Sequence, residues 1–63
     1  MNIRVRRETI GMNQQELADA AGVSRVAITR YESGQRVPPL DIAVRIAAAL
    51  GCKADDLIDH KEN

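Results

Sequence analysis

Arg25, Val26, Thr29 and Arg30 are the residues of this 63-residue chain whose types and spacing could do chemistry. On a helix they share one face, and three of them carry hydrogen-bond donors. Arginine presents a planar fork of N–H groups suited to bidentate recognition of anions and flat polar edges. Asn13, Gln14, Ser33, Gly34 and Arg36 flank this set and add further polar and backbone groups. The chemistry on offer is recognition and not bond-breaking. The chain has no Ser–His–Asp set, no paired carboxylates placed for acid–base work and no phosphate loop, so it is not read as an enzyme. One cysteine, Cys52, and one histidine, His60, cannot build a four-ligand zinc site, and neither a metal nor a cofactor is expected.

Five helices are expected to position these residues, in an all-α fold forming one domain over residues 1–63, with His60 to Asn63 a frayed tail. The first runs roughly from Ile3 to Ile10 and stops at Gly11. Asn13 reads as the N-cap of the second, with Glu16 three residues later as in a capping box and Met12 placed to staple onto Leu17. That helix ends near Ala21 at Gly22, where the chain needs φ > 0. Ser24 caps a third helix, Arg25 to Ser33, which Gly34 stops. The third helix turns Ile28 and Tyr31 inward. Pro38 and Pro39 make the next segment a loop. An apolar fourth helix follows from Leu40 to Leu50, its spacing predicting burial on more than one side at Leu40, Ala43, Ala47 and Leu50 and at Ile42, Ile46 and Ala49. A short fifth helix from Ala54 to about Asp59 begins on Asp55 and Asp56, which suit a helix N-terminus.

The run from Gln14 to Ser33, with small or apolar residues at Leu17, Ala18, Ala21, Val23, Ile28 and Tyr31 about a hinge at Gly22, resembles a helix-turn-helix. Gly11-Met12-Asn13-Gln14-Gln15-Glu16-Leu17-Ala18, Ala21-Gly22-Val23-Ser24, Ile28-Thr29-Arg30-Tyr31-Glu32-Ser33-Gly34, Pro38-Pro39-Leu40 and Ile46-Ala47-Ala48-Ala49-Leu50-Gly51 extend the likeness. Together they resemble the small helix-turn-helix family of phage repressors, Cro proteins and related bacterial regulators, over about residues 3 to 58. Arg6 departs from the family where an apolar core residue is usual, which implies a first helix that is short or rotated. Pro39 and Lys53 replace residues that usually cap the last two helices.

The resemblance implies a compact domain of the lambda-repressor-like type, whose third helix enters the DNA major groove. Arg25, Val26 and Thr29 are then the base-contact residues. Arg25 suits guanine O6 and N7, against a solvated surface role. Val26 suits a thymine methyl, against packing on the second helix, and Thr29 suits a base or sugar. Asn13, Gln14, Arg30, Ser33, Gly34 and Arg36 fall to phosphate, Asn13 as a cap first and a DNA neighbour second. Similar proteins use a Gln at the place of Gln14 for the backbone and to brace the recognition helix. They also pair an Arg of the first helix with an acid of the third, here Arg7 and Glu32, read as a structural salt bridge against two independent surface charges. Val37, Pro38, Leu40, Leu57 and Ile58 form the expected dimer interface, unless Val37, Leu57 and Ile58 instead finish the core.

Composition bounds these readings. The chain lacks Phe and Trp and has one Tyr, so Ile, Val, Leu, Met and Ala must make the core. The single cysteine points to a reducing compartment, and with no apolar run of membrane-span length the expected setting is the cytoplasm of a bacterial cell, or a phage-encoded product acting there on DNA. Net charge is zero, which taken alone argues against a nucleic-acid partner. Its distribution answers that: Arg4, Arg6, Arg7, Arg25, Arg30 and Arg36 outnumber Glu8, Glu16, Asp19 and Glu32, and the balance reverses after Val37. The expected function is a sequence-specific DNA-binding regulator, a repressor, bound to a two-fold operator as a homodimer. The expected partners are double-stranded DNA and a second copy, with no membrane and no small-molecule ligand. The alternatives are an antitoxin-type autoregulator that also binds a toxin, and a helical protein-interaction module without DNA binding.

Overall fold

A computed structural model describes residues 1–58. It contains α1 (Ile3–Thr9), α2 (Gln14–Ala21), α3 (Arg25–Ser33), α4 (Leu40–Leu50) and α5 (Ala54–Leu57), with no strand among the described residues. The starts follow from local chemistry. Asn13 Oδ1 accepts the Glu16 N–H at 2.7 Å while Glu16 Oε1 accepts the Asn13 N–H at 2.9 Å, closing the capping box. Ser24 Oγ accepts the Ala27 N–H at 3.1 Å and starts α3. At α4 Pro39 offers no side-chain cap, and at α5 only the Asp56 carboxylate reaches back, to the Lys53 N–H at 3.0 Å.

Gly22 sets the angle between α2 and α3. It adopts φ +70°, and the Val23 N–H returns to the Ala18 carbonyl at 3.0 Å. An L side chain would strain this left-handed backbone, although no atom lies within 4 Å of the Cβ it would carry.

The core lies between α2, α3 and α4, with α5 packed on α4 and α1 lying across α3 and α4. Ile3, Leu17, Ala18, Ile28, Ile46 and Leu57 are fully buried in it, and Ala21, Ala47 and Leu50 nearly so. Each large aliphatic contributes about 1.5–3 kcal/mol by leaving water. Met12, Cys52 and Tyr31 lie partly buried against this cluster. The Asn2 N–H donates to the Leu57 carbonyl at 3.0 Å, tying the start of α1 to the end of α5.

Several expectations need correction. Leu57 is 0 % exposed, so it finishes the core and cannot belong to a surface dimer contact. Pro38, placed in the same contact, is buried as well, yet it still helps line an apolar groove with Val37 and Leu40. Leu40 is 77 % exposed: it shares the helical face of Ala43 and Ala47 but, as the first residue of α4, it lies outside the core cluster. Tyr31 is half-buried, not enclosed. Helix α1 ends at Thr9, one residue early, and it keeps Ile3 and Arg7 inward with Arg6 half-buried. Helix α5 ends at Leu57, because Ile58 is extended at φ −81°, ψ 130°. Asp59 and the tail from His60 to Asn63 lie outside the described residues.

Candidate nucleic-acid interface

The register of α3 is set by Ile28, whose burial turns Arg25, Val26, Thr29 and Arg30 to the outside. Val26 is 56 % exposed, an apolar side chain held in the middle of a polar face. At the far end of α3, Ser33 Oγ donates to the Arg30 carbonyl at 3.2 Å, and Gly34 turns the chain. The N–H groups of Gln35 and Arg36 return to the same carbonyl at 3.0 and 3.3 Å. This holds Arg36 on the side of α3 that carries Arg30. The two arginines, Tyr31, Val26 and Val37 help line an open cleft of about 220 Å³.

Behind this face lies a polar network joining α1, α2 and α3. Arg7 Nε donates to Glu32 Oε2 at 2.6 Å and Arg7 Nη2 to Glu32 Oε1 at 2.9 Å, a bidentate pair. Arg7 Nη1 donates to the Met12 carbonyl at 2.9 Å, which also fixes the turn before α2. Gln14 Nε2 adds a third donor to Glu32 Oε1 at 3.1 Å, and Thr29 Oγ1 lies 3.3 Å from Gln14 Oε1. The Arg7 and Glu32 side chains are only 10 % and 5 % exposed.

The Glu32 hydrogen bonds raise the Arg7 guanidinium further above its already high value, against the opposing effect of burial. Burial pushes the Glu32 carboxyl up, but hydrogen bonds from Arg7 and Gln14 and the Arg7 charge together outweigh it, so the carboxyl titrates below its ordinary value. An acidic residue on α3 is thereby neutralised at the back of the helix. Arg25, Arg30 and Arg36 are then the exposed charges of α3 and of the turn after it.

The structure thus brings Arg7, Gln14, Thr29 and Glu32 into one network. Arg25, Val26 and Arg30 share the open face of α3, with Ser33, Gly34 and Arg36 following at its end. Asn13 lies at the adjacent start of α2, its carbonyl oxygen committed to the cap. The family resemblance implied Gln14 as a brace but not that Glu32 and Thr29 are what it bonds, nor that the Met12 carbonyl is a partner of Arg7. No sequence signal reports these links, since they join residues 15 to 18 positions apart, or in the Met12 case a turn. Away from this face, Val37 (79 % exposed), Leu40 and Ile58 rim an apolar groove of about 360 Å³, with the buried Pro38 in its lining. No group of acidic, histidine or cysteine residues able to hold a metal ion exists among the described residues.

Comparison with known proteins gives one consistent family. Residues 3–57 match the helix-turn-helix family. An uncharacterized HTH-type transcriptional regulator of Methanothermobacter thermautotrophicus is 47 % identical over 49 residues, covering 78 % of this chain and 71 % of that protein. The cryptic phage CTXphi transcriptional repressor RstR of Vibrio cholerae is 37 % identical over 51 residues, covering 81 % of this chain but only 46 % of its own length. The crystal structure of the P22 c2 repressor in complex with a synthetic operator aligns with a TM-score of 0.84 at 34 % identity, covering 89 % of this chain and 85 % of that one. The five-helix arrangement is that of phage-repressor DNA-binding domains.

Proposed function

The chain belongs to the helix-turn-helix family of transcriptional regulators, which are not enzymes, and on that premise we propose that it represses transcription by binding a two-fold operator as a homodimer. The exposed face of α3 carries this reading: Arg25, Val26, Thr29 and Arg30 stand clear of a helix braced from behind by Arg7, Gln14 and Glu32. An exposed valine between arginines is costly in water and useful against a thymine methyl. Arg25, at the first turn of α3, reads a guanine edge. Arg30, Ser33, Gly34 and Arg36 meet phosphates beyond it, and Asn13 and Gln14 meet them at the start of α2, where free N–H groups face an anion.

Repression is favoured by the likeness to RstR and to the P22 c2 repressor, both named as repressors. Dimerisation is favoured by the groove rimmed by Val37, Leu40 and Ile58, an exposed apolar surface on a chain with no net charge to hold it on DNA as a monomer. Two copies related by a two-fold axis would read half-sites about 10 base pairs apart. Acting on DNA, the protein works in the cytoplasm.

Selection of duplexes from a random pool by the purified protein tests this. A palindromic consensus with two protein copies per duplex is expected. Enrichment of no sequence would overturn the DNA reading. Full affinity at one copy on a single half-site would overturn the dimer alone.

A further inference from the structure

The hydroxyl of Thr29 has a fixed polarity, and that polarity determines which base edges it can accept. A hydroxyl carries one proton and two lone pairs and normally rotates to suit its partner. Thr29 Oγ1 lies 3.1 Å from the Arg25 carbonyl oxygen and 3.3 Å from Gln14 Oε1. The first neighbour is an acceptor by nature. The second is an acceptor because Glu32 makes it one. An ionised carboxylate only accepts, so the Gln14 amide must turn its Nε2 to Glu32 Oε1, at 3.1 Å, and its oxygen to Thr29. Arg7 fixes that carboxylate with two hydrogen bonds, so neither Glu32 nor the amide is free to reverse. Thr29 is left facing two oxygens from behind. Pointing its proton outward would leave both oxygen–oxygen contacts without a hydrogen between them. The proton stays inside and the lone pairs face out.

We propose that Thr29 meets DNA as a hydrogen-bond acceptor alone, and so selects an exocyclic amine, adenine N6 or cytosine N4, over the carbonyl that guanine O6 or thymine O4 puts in the same place. This rests on the reading of α3 as the helix that faces the bases. It adds a chemical sign to one contact: A over G, or C over T, at the base that Thr29 touches. Arg7, Gln14 and Glu32 become positioning residues for that choice, acting through the amide and touching no base.

The test compares consensus sequences selected from a random pool by the wild-type protein and by Thr29→Val, which keeps the shape and removes the oxygen. One position per half-site should lose a preference for A over G or for C over T. In duplexes built on the wild-type consensus, the base at that position is then replaced by its analogue lacking the exocyclic amine. This should weaken the wild type about 2- to 10-fold, the worth of one hydrogen bond, and leave Thr29→Val unaffected. Replacing an adenine there by 7-deazaadenine, which lacks the N7 acceptor, should leave the wild type unweakened. A lost preference for G or T, or equal weakening of both proteins by amine removal, would overturn the proposal. So would an unchanged consensus in Thr29→Val, which would leave the DNA reading itself standing. Only a wild type that enriches no sequence would bring both down.

Discussion

Replacing Glu32 by Leu, Arg7 by Met, and then both together isolates the interaction that braces α3. The Glu32 carboxylate receives three donors, at 2.6 and 2.9 Å from Arg7 and 3.1 Å from Gln14, and it is 5 % exposed. Glu32→Leu leaves a buried guanidinium whose remaining described partner is the Met12 carbonyl. Arg7→Met leaves a buried carboxylate held by Gln14. Breaking a buried pair from one side costs about 3–5 kcal/mol. Slight exposure of Arg7 lets water reach it and favours the lower end, so each single variant should lose about 3 kcal/mol. A domain of this length has roughly 3–9 kcal/mol in total. At about 4–8 °C per kcal/mol, each melting temperature should fall by roughly 12–24 °C. The double variant places two apolar side chains of similar reach where the ions were, and it should recover about 2 kcal/mol or more relative to additivity. Urea unfolding at neutral pH followed by circular dichroism reads all four corners of the cycle. Single-variant losses that add to within about 0.5 kcal/mol would refute the reasoning and reduce the pair to the worth of an exposed one.

The same carboxylate gives an acid limb to stability. Glu32 titrates below its ordinary 4.5 in the fold, so its contribution is complete above that value and is lost as pH falls through the lowered one. The urea-midpoint gap between wild type and Glu32→Gln should therefore narrow as pH drops from about 5 toward 2, and a gap constant over that window would contradict the assignment. Leu57→Ala should cost about 2–5 kcal/mol of stability as a fully buried aliphatic, whereas Ile58→Asp should leave the melting temperature nearly unchanged and weaken two-copy binding to DNA; the reverse pattern would return Leu57 to the surface. Arg25→Ala should cost about 1–3 kcal/mol on the best operator and flatten preference at one base pair, while Arg36→Ala should weaken all duplexes alike and reduce the salt slope by about one. An unchanged selectivity profile for Arg25→Ala in a competition binding assay would remove Arg25 from the base contacts.

What the sequence determined by itself was whatever a few neighbouring residues decide. Asn13 with Glu16, Ser24, Gly22, Gly34 and the Pro38–Pro39 pair each act over at most four positions, through a hydrogen bond to a nearby N–H or a restricted φ. The limits of α2 and α3 follow from them, and the outward face of α3 follows because burying Ile28 leaves Arg25, Val26, Thr29 and Arg30 no other direction. The Arg7–Glu32 pairing, 25 residues apart, came from likeness to a family and not from any local pattern. Tertiary structure alone decided between chemically similar neighbours. Leu57 is buried and Ile58 exposed, Pro38 buried and Pro39 exposed, Leu50 inside and Leu40 outside. A four-residue α5 and a proline loop have too few residues to show a period, so which side chain meets the core depends on where α4 and α1 happen to lie. The direction of the Thr29 proton was decided there as well. It depends on a carboxylate three residues along the same helix, an amide on a second helix and a guanidinium on a third, groups that become neighbours only when the chain has closed around its core.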